Sequence, residues 1–113
     1  MLRFEDVAVV VSDAKKSAKW YQEKLGFEIK DQRDHWVTVR PRGSNVLLHL
    51  CVVNGPLEPG NTGIGFSVPD VVAEERELRA KGVEFPQPTK KEAWGTFAIF
   101  RDPDGNEFWI TQA

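Results

Sequence analysis

The residues best suited to chemistry in this sequence are a histidine and a cysteine that alternate in one apolar run. His49 and Cys51 stand two positions apart in the segment VLLHLCV, residues 46–52. Side chains two apart in a strand share a face, so the imidazole and the thiol are predicted to be neighbours. Cys51 is then either a thiol activated by the imidazole or an inert buried side chain. His49 is either a hydrogen-bonding contact for a ligand or a general base tuned by Asp6, if their strands are neighbours.

A second group of residues is suited to holding a small molecule. Trp36, Trp94 and Trp109 offer indole faces on which a flat or aromatic ligand could stack. Arg40 is able to pair with a carboxylate or a phosphate, or to stack on a ring. Core packing is the alternative interpretation of each tryptophan, and we adopt it for Trp20.

Composition and charge narrow the possible partners. The chain has 113 residues, 41% of them hydrophobic and 28% charged, with a net charge of −2, which is typical of one globular domain. Because no Lys/Arg stripe stands out, nucleic acid and anionic membrane are not expected as partners. The single cysteine allows no internal disulfide and fits a reducing cytosol. The first apolar run, residues 7–11, is too short for a membrane span or a signal-peptide core, so we predict a cytoplasmic protein.

The sequence contains the same pattern twice. The segment VVVSD at 9–13 corresponds to FSVPD at 66–70, and each ends in an Asp that can cap a helix. LGFE at 25–28 corresponds to KGVE at 81–84, and each contains a Gly suited to ending a helix. RGSN at 42–45 and PDGN at 103–106 are polar turns before a final apolar strand. Two copies are too few for a solenoid, so the sequence predicts a pair of similar half-domains.

Each half is predicted as a strand, a helix and three strands, which is an α+β class. The helices are predicted at 14–25 and 71–81. The strands are predicted at 4–11, 27–30, 36–40, 46–52, 62–68, 83–85, 97–101 and 107–111. Residues 89–92 are predicted as a solvated loop. The chain is then a single domain, 1–113, with module one at 1–53, a Gly- and Pro-rich linker at 54–60 and module two at 61–113.

Alternation divides the predicted strands into an apolar face and a mixed face. The apolar face suits packing under a helix. The mixed face is either exposed to solvent or lines a cavity. Its glycines, Gly63 and Gly65, suggest close approach by another group. Leaving its large aromatic side chains exposed to water would cost free energy, which favours the cavity. Our candidate ligand contacts are the mixed-face residues Phe4, Asp6, Trp36, Thr38, Arg40, Leu47, His49, Cys51, Gly63, Glu107 and Trp109, together with Trp94.

This pattern resembles the vicinal oxygen chelate superfamily, which contains glyoxalase I, extradiol dioxygenases, and bleomycin- and fosfomycin-resistance proteins. The resemblance covers nearly all of the chain. It is most specific at residues 7–13, at 17–27 and at RDPDGN, residues 101–106, which looks like the hallmark turn before the closing strand. The resemblance implies two β-α-β-β-β modules that form a curved mixed sheet around a cleft. We expect His49 and Trp109 to point into that cleft.

Enzymes of the superfamily hold a divalent metal with ligands on the first, fourth, fifth and eighth strands. The resemblance places these positions at Asp6, His49, Gly63 and Trp109. Gly63 has no side chain, and the indole of Trp109 offers no ligand atom. Two of the four positions remain, which is fewer than the roughly three protein ligands that such a metal needs. His49 thereby gains a third interpretation, as a ligand without partners. We expect no cofactor, and the alternative is a metal held by Asp6, His49 and a relocated Glu107.

The metal-free branch of the resemblance is the bleomycin-resistance type, which sequesters drugs in aromatic-lined grooves, usually as dimers. It implies a metal-independent protein that binds a flat or aromatic small molecule and forms a homodimer. The alternative is a metal-dependent lyase, isomerase or dioxygenase with a non-standard ligand set. A third possibility is a degenerate relative retained as an interaction module.

Overall fold

The computed structural model describes residues 1–52 and 58–112, and the chain divides into two compact units, Met1–Pro59 and Gly60–Ala113. Each unit contains one helix and one four-stranded mixed sheet in the order β-α-β-β-β. The predicted α+β class and the two similar modules are therefore confirmed. Positions 54–57 of the predicted linker lie outside the described residues.

The first unit is a four-stranded sheet with a helix on one face. Its elements are β1 (Asp6–Val10), α1 (Ala14–Leu25), β2 (Glu28–Arg33), β3 (Trp36–Arg40) and β4 (Leu47–Cys51). The strand order is β1-β4-β3-β2, with β1 parallel to β4 and the other pairs antiparallel. The core of this unit is made by the apolar face of the sheet and the inner face of α1, and it contains Val9, Ala18, Tyr21, Val37, Val39 and Leu50.

Helix α1 begins and ends where its sequence signals predict. The carboxylate of Asp13 accepts a hydrogen bond from the Lys16 amide at 3.1 Å, which satisfies one of the free amides of the first turn. Gly26 ends the helix with a φ of 71°, a left-handed conformation that glycine adopts without a Cβ penalty. The predicted range, 14–25, is confirmed at both ends.

The second unit repeats this arrangement. Its elements are β5 (Asn61–Val68), α2 (Val71–Ala80), β6 (Glu84–Glu92), β7 (Gly95–Arg101) and β8 (Glu107–Gln112). The strand order is β5-β8-β7-β6, with β5 parallel to β8. Asp70 caps α2 through the Ala73 amide at 3.1 Å. The core contains Val71, Leu78, Phe85, Ala98, Phe100, Phe108 and Ile110.

The RDPDGN turn is held by a buried carboxylate. Asp102 Oδ1 accepts from the amides of Asp104 at 2.9 Å and Asn106 at 2.8 Å, and its Oδ2 accepts from the Asn106 side-chain amide at 2.9 Å. Asn106 in turn accepts from the Gly60 amide at 3.2 Å, just before β5. Asp102 and Asn106 are almost fully buried, and these bonds join β7, β8 and the start of β5.

Two sequence predictions about strand length are wrong. Residues 89–92 are not a loop but the end of β6, which pairs with β7 as far as Glu92 and Gly95. Pro86 and Pro88 lie within this strand, and prolines are tolerated at a sheet edge and at bulges. β6 is an edge strand with two register shifts. Strand β2 likewise continues to Arg33 because a bulge absorbs Lys30.

The start of the first strand also differs from the prediction. Strand β1 begins at Asp6 rather than at residue 4, so Phe4 lies in the preceding segment with 71% of its surface exposed. Neither helix of the described residues has the length and apolar character needed to cross a membrane.

Candidate functional site: two ring-bearing sheet faces

The face of the first sheet opposite α1 is defined by its cross-strand pairs, because directly paired residues share a face. Thr38 of β3 is opposite His49 of β4 on one side and Asp31 of β2 on the other. Trp36, Thr38 and Arg40 therefore lie on this face, as the alternation predicted. The unpredicted member is Asp31. The β-bulge at Lys30 changes the alternation within β2, so counting from Glu28 assigns Asp31 to the wrong side.

Asp31 organises the centre of this face. Its Oδ2 accepts hydrogen bonds from Thr38 Oγ1 at 2.8 Å and from Trp36 Nε1 at 3.1 Å. The bond from Thr38 is the main cause that lowers the pKa of Asp31; burial opposes it, and the Trp36 bond and nearby cations add to it. Thr38 is fully buried. The carboxylate is thus held ionised, and it fixes the orientation of the indole.

His49 lies against Trp36, with the two ring centroids 4.4 Å apart and the planes inclined by 41°. Its Nε2 is 3.1 Å from the carbonyl oxygen of His35, which accepts the hydrogen bond. Strands β1 and β4 are neighbours, but the register puts Asp6 opposite Leu47 and Ala8 opposite His49. The ring is therefore oriented by Trp36 and His35, and a base tuned by Asp6 is not supported by this register.

Arg40 already has protein partners. Its Nε is 3.0 Å from Glu28 Oε2, directly across the strand pair, and its Nη1 donates to the Ser44 carbonyl at 3.4 Å. Any ligand anion at Arg40 would compete with Glu28 for the guanidinium. The predicted ligand contact at Arg40 is thus one that shares its charge with a neighbouring carboxylate.

An open groove of 610 Å³ runs along this face. It brings together four of the predicted contacts, namely Phe4, Trp36, Arg40 and Leu47, with Asp31 as the addition. A separate, smaller cavity of 250 Å³ is lined in part by His49 and Cys51. Cys51 is a free thiol and half-buried.

The corresponding face of the second sheet carries a stack of three aromatic rings. Phe97 and Trp109 lie 4.9 Å apart between centroids with planes inclined by 22°, and Trp94 lies 5.1 Å from Phe97 and 6.4 Å from Trp109. Trp94 is 62% exposed whereas Phe97 is buried. The predicted contacts Trp94 and Trp109 are therefore together. Phe97 was missed because the apolar run from Phe97 to Phe100 has no polar alternation from which a face could be assigned.

The two units present a ring pair at equivalent register positions. In the first, His49 is opposite Thr38, and Trp36 is two residues from Thr38 on the same strand. In the second, Trp109 is opposite Ile99, and Phe97 is again two residues earlier. Each pair is thus a diagonal neighbour pair across the last two strands of its unit, within reach for large rings.

The two mid-strand glycines on β5 have different roles. Gly63 sits in the register shift between Asn61 and Ile64 with a φ of 71°, so a left-handed backbone explains it. A Cβ built there would meet no described heavy atom within 4 Å. At Gly65 a Cβ would lie 3.9 Å from the Cβ of Trp109, an ordinary van der Waals distance, so the described atoms do not show the predicted close approach at either glycine.

The donor set does not fit the divalent metal that the resemblance implies for catalytic relatives. Gly63 and Trp109 supply no ligand atom. Glu107, the proposed substitute, pairs with Arg101 at 3.5 Å. Within residues 1–52 and 58–112 no three His, Cys, Asp or Glu side chains are grouped as a cation would require.

Comparison with known proteins gives the family. The chain belongs to the Glyoxalase/Bleomycin resistance protein/Dioxygenase superfamily, whose family model matches residues 3–110. YetH of Bacillus subtilis strain 168 is 32% identical over 116 aligned residues, which cover 94% of each protein.

Two solved structures are similar over nearly their whole length. A superfamily member from Sphaerobacter thermophilus DSM 20745 is 28% identical with a TM-score of 0.88, covering 100% of this chain and 98% of that one. TnmS3, an antibiotic binding protein from Streptomyces sp. CB03234, is 30% identical with a TM-score of 0.89, covering 99% and 96%.

Proposed function

We propose that this protein binds flat aromatic small molecules on the ring pairs of its two sheets and sequesters them without a metal. The observation that carries the proposal is the recurrence of a ring pair at the same register position in both units, Trp36 with His49 and Phe97 with Trp109. Core packing alone does not account for the cluster of Trp94, Phe97 and Trp109, because its outermost ring, Trp94, remains 62% exposed.

The physical basis of binding is stacking on partly exposed indoles. Offset or edge contacts between aromatic rings contribute about 0.5–1.5 kcal/mol beyond the burial of their area. The first groove, at 610 Å³, has the size of ordinary small-molecule sites. The likeness to TnmS3, described as an antibiotic binding protein, supports a drug-like ligand for this chain.

The direct test uses tryptophan fluorescence with the planar, neutral quencher fluorenone. We expect saturable quenching in the unaltered protein. Trp109→Ala should weaken fluorenone binding about tenfold, since losing one stacking partner costs on the order of 1.4 kcal/mol. Trp94→Ala, at an exposed position, provides a second variant that does not depend on the core remaining intact.

The matched control for that experiment is Trp20→Phe. Trp20 lies on α1 and contacts Tyr21 at 5.1 Å between centroids, and it belongs to neither ring pair. This variant should lose emission but retain the affinity for fluorenone. Quenching that is absent, or that survives Trp94→Ala and Trp109→Ala with unchanged affinity, would contradict the stacking proposal.

Metal independence is tested by removing metal. We expect dialysis against EDTA to leave the dissociation constant for fluorenone unchanged within twofold, because the ring pairs contain no obligatory cation site. The measurement is a titration before and after dialysis, with metal content determined in parallel. Stoichiometric metal that disappears in His49→Ala would instead support the metal-dependent alternative.

We also propose that the protein works in the cytoplasm as a homodimer. A single cysteine suits a reducing compartment, and the resemblance to drug-sequestering relatives implies a dimer. Sedimentation should show a dimer at micromolar concentration, and a monomer throughout that range would refute this part of the proposal.

A further inference from the structure

We infer that the groove of the first unit recognises a phenolic hydroxyl, which donates a hydrogen bond to the carboxylate of Asp31 while its ring lies against Trp36. This inference rests on the proposed function and names the ligand class for one of the two ring pairs.

Asp31 has one oxygen in use and one available. Its Oδ2 accepts from both Trp36 Nε1 and Thr38 Oγ1. Its Oδ1 lies 4.0 Å from Arg33 Nη2, at the outer limit of an ion pair. The side chain is 20% exposed and lines the groove. A carboxylate oxygen has two acceptor sites, so Oδ1 offers an acceptor to a ligand in the groove.

The charges around the groove favour a neutral donor over an ammonium group. Arg40 is already paired with Glu28, but Lys30 and Arg33 both act on the Asp31 carboxylate. A cationic ligand would gain from Asp31 but would be repelled by Lys30 and Arg33. An anionic ligand would meet the ionised Asp31 directly. A hydroxyl donates to the carboxylate and carries neither penalty.

The position of Trp36 requires that the hydroxyl be carried by a flat ring. The indole is tied to the same carboxylate through Nε1 and packs on His49 at 4.4 Å. A donor seated on Oδ1 therefore brings the group that carries it beside a fixed indole. Stacking rewards an aromatic carrier there, so the combined requirement is a phenol.

Calorimetric titration of the full chain with β-naphthol and with its methyl ether tests this inference. The two probes share the ring and differ in the donor hydrogen. We expect β-naphthol to bind about tenfold to a hundredfold more tightly, the range for a hydrogen bond to a charged group. It should also bind more tightly than naphthylmethylammonium. This comparison needs no variant, so it holds whether or not any substituted protein folds.

Asp31→Asn then assigns the preference to its residue. If the side-chain amide oxygen of this variant keeps the bonds from Trp36 and Thr38, its NH2 group takes the place of Oδ1 and presents a donor to the groove. The ratio of the affinities for β-naphthol and its methyl ether should then fall to near one. Asp34→Asn is the matched control, since Asp34 is an exposed turn residue that does not line this groove. It should leave the ratio unchanged.

Three results would overturn the inference while leaving the proposed function intact: equal binding of β-naphthol and its ether, tightest binding of the ammonium probe, or a preference that persists in folded Asp31→Asn. Failure of all three probes to bind would overturn the proposed function and this inference together.

Discussion

At the scale of the residue, the binding face is built by side chains that hold one another in place. Asp31 fixes Trp36 and Thr38, and Trp36 fixes His49. His49 was correctly placed on the mixed face by alternation, and so were Trp36, Thr38 and Trp109. Asp31 was not foreseeable, because a single bulged residue changes the parity of everything after it.

Glu75 shows the same kind of local hold on the other side of the second sheet. Its Oε1 accepts from the amide and hydroxyl of Thr89 at 2.7 and 2.6 Å, and its Oε2 from Arg79 Nε at 2.6 Å. Burial raises the pKa of Glu75, but the bonds from Thr89 and Arg79 outweigh it and the net pKa is lowered. These bonds attach the last part of β6 to α2.

The lowered pKa values of Asp31 and Glu75 predict acid sensitivity. A carboxyl whose folded pKa lies below its unfolded value stabilises the fold fully above the unfolded pKa, and that stability is lost as the pH falls through the folded pKa. The free energy of unfolding should therefore decline below about pH 4.5. Glu75→Gln should flatten this decline, as measured by urea unfolding from pH 6 to about pH 3. An identical slope in both proteins would contradict the account.

At the scale of the element, the helix boundaries followed from local signals, whereas the lengths of β2 and β6 depended on tertiary pairing. Asp13 and Gly26 delimit α1 by their own chemistry. Nothing local in the segment EFPQPTKKE indicates a strand of nine residues. It forms because β7 offers a partner and because bulges accommodate Pro86 and Pro88.

The two polar turns allow a matched prediction at this scale. Asn106 is buried and bonded to Asp102 and Gly60, while Asn45 holds the same place in the first repeat but is exposed. Asn106→Ala should destabilise the protein by about 2–3 kcal/mol, because it leaves buried groups unpaired. Asn45→Ala should cost less than about 0.5 kcal/mol. Urea unfolding measures both, and equal effects would show that the turn is not the join we describe.

At the scale of the whole molecule, the pattern that occurs twice in the sequence forms two similar units in the structure. What differs between the copies is the polar partner of the ring pair. Thr38 faces Asp31 in the first unit, whereas at the equivalent place Ile99 faces Gln87. One ring pair is thus joined to a charged acceptor, and the other is extended by an exposed indole at Trp94.

The most direct measurement of the central claim is a nuclear magnetic resonance titration that follows the four indole N–H signals. The chain has four tryptophans, of which Trp36, Trp94 and Trp109 belong to the ring-bearing faces and Trp20 does not. On addition of fluorenone we expect the signals of Trp36, Trp94 and Trp109 to move and to saturate, while Trp20 stays in place. Saturating shifts confined to Trp20, or no shift at any of the four, would contradict the claim that these faces bind aromatic ligands.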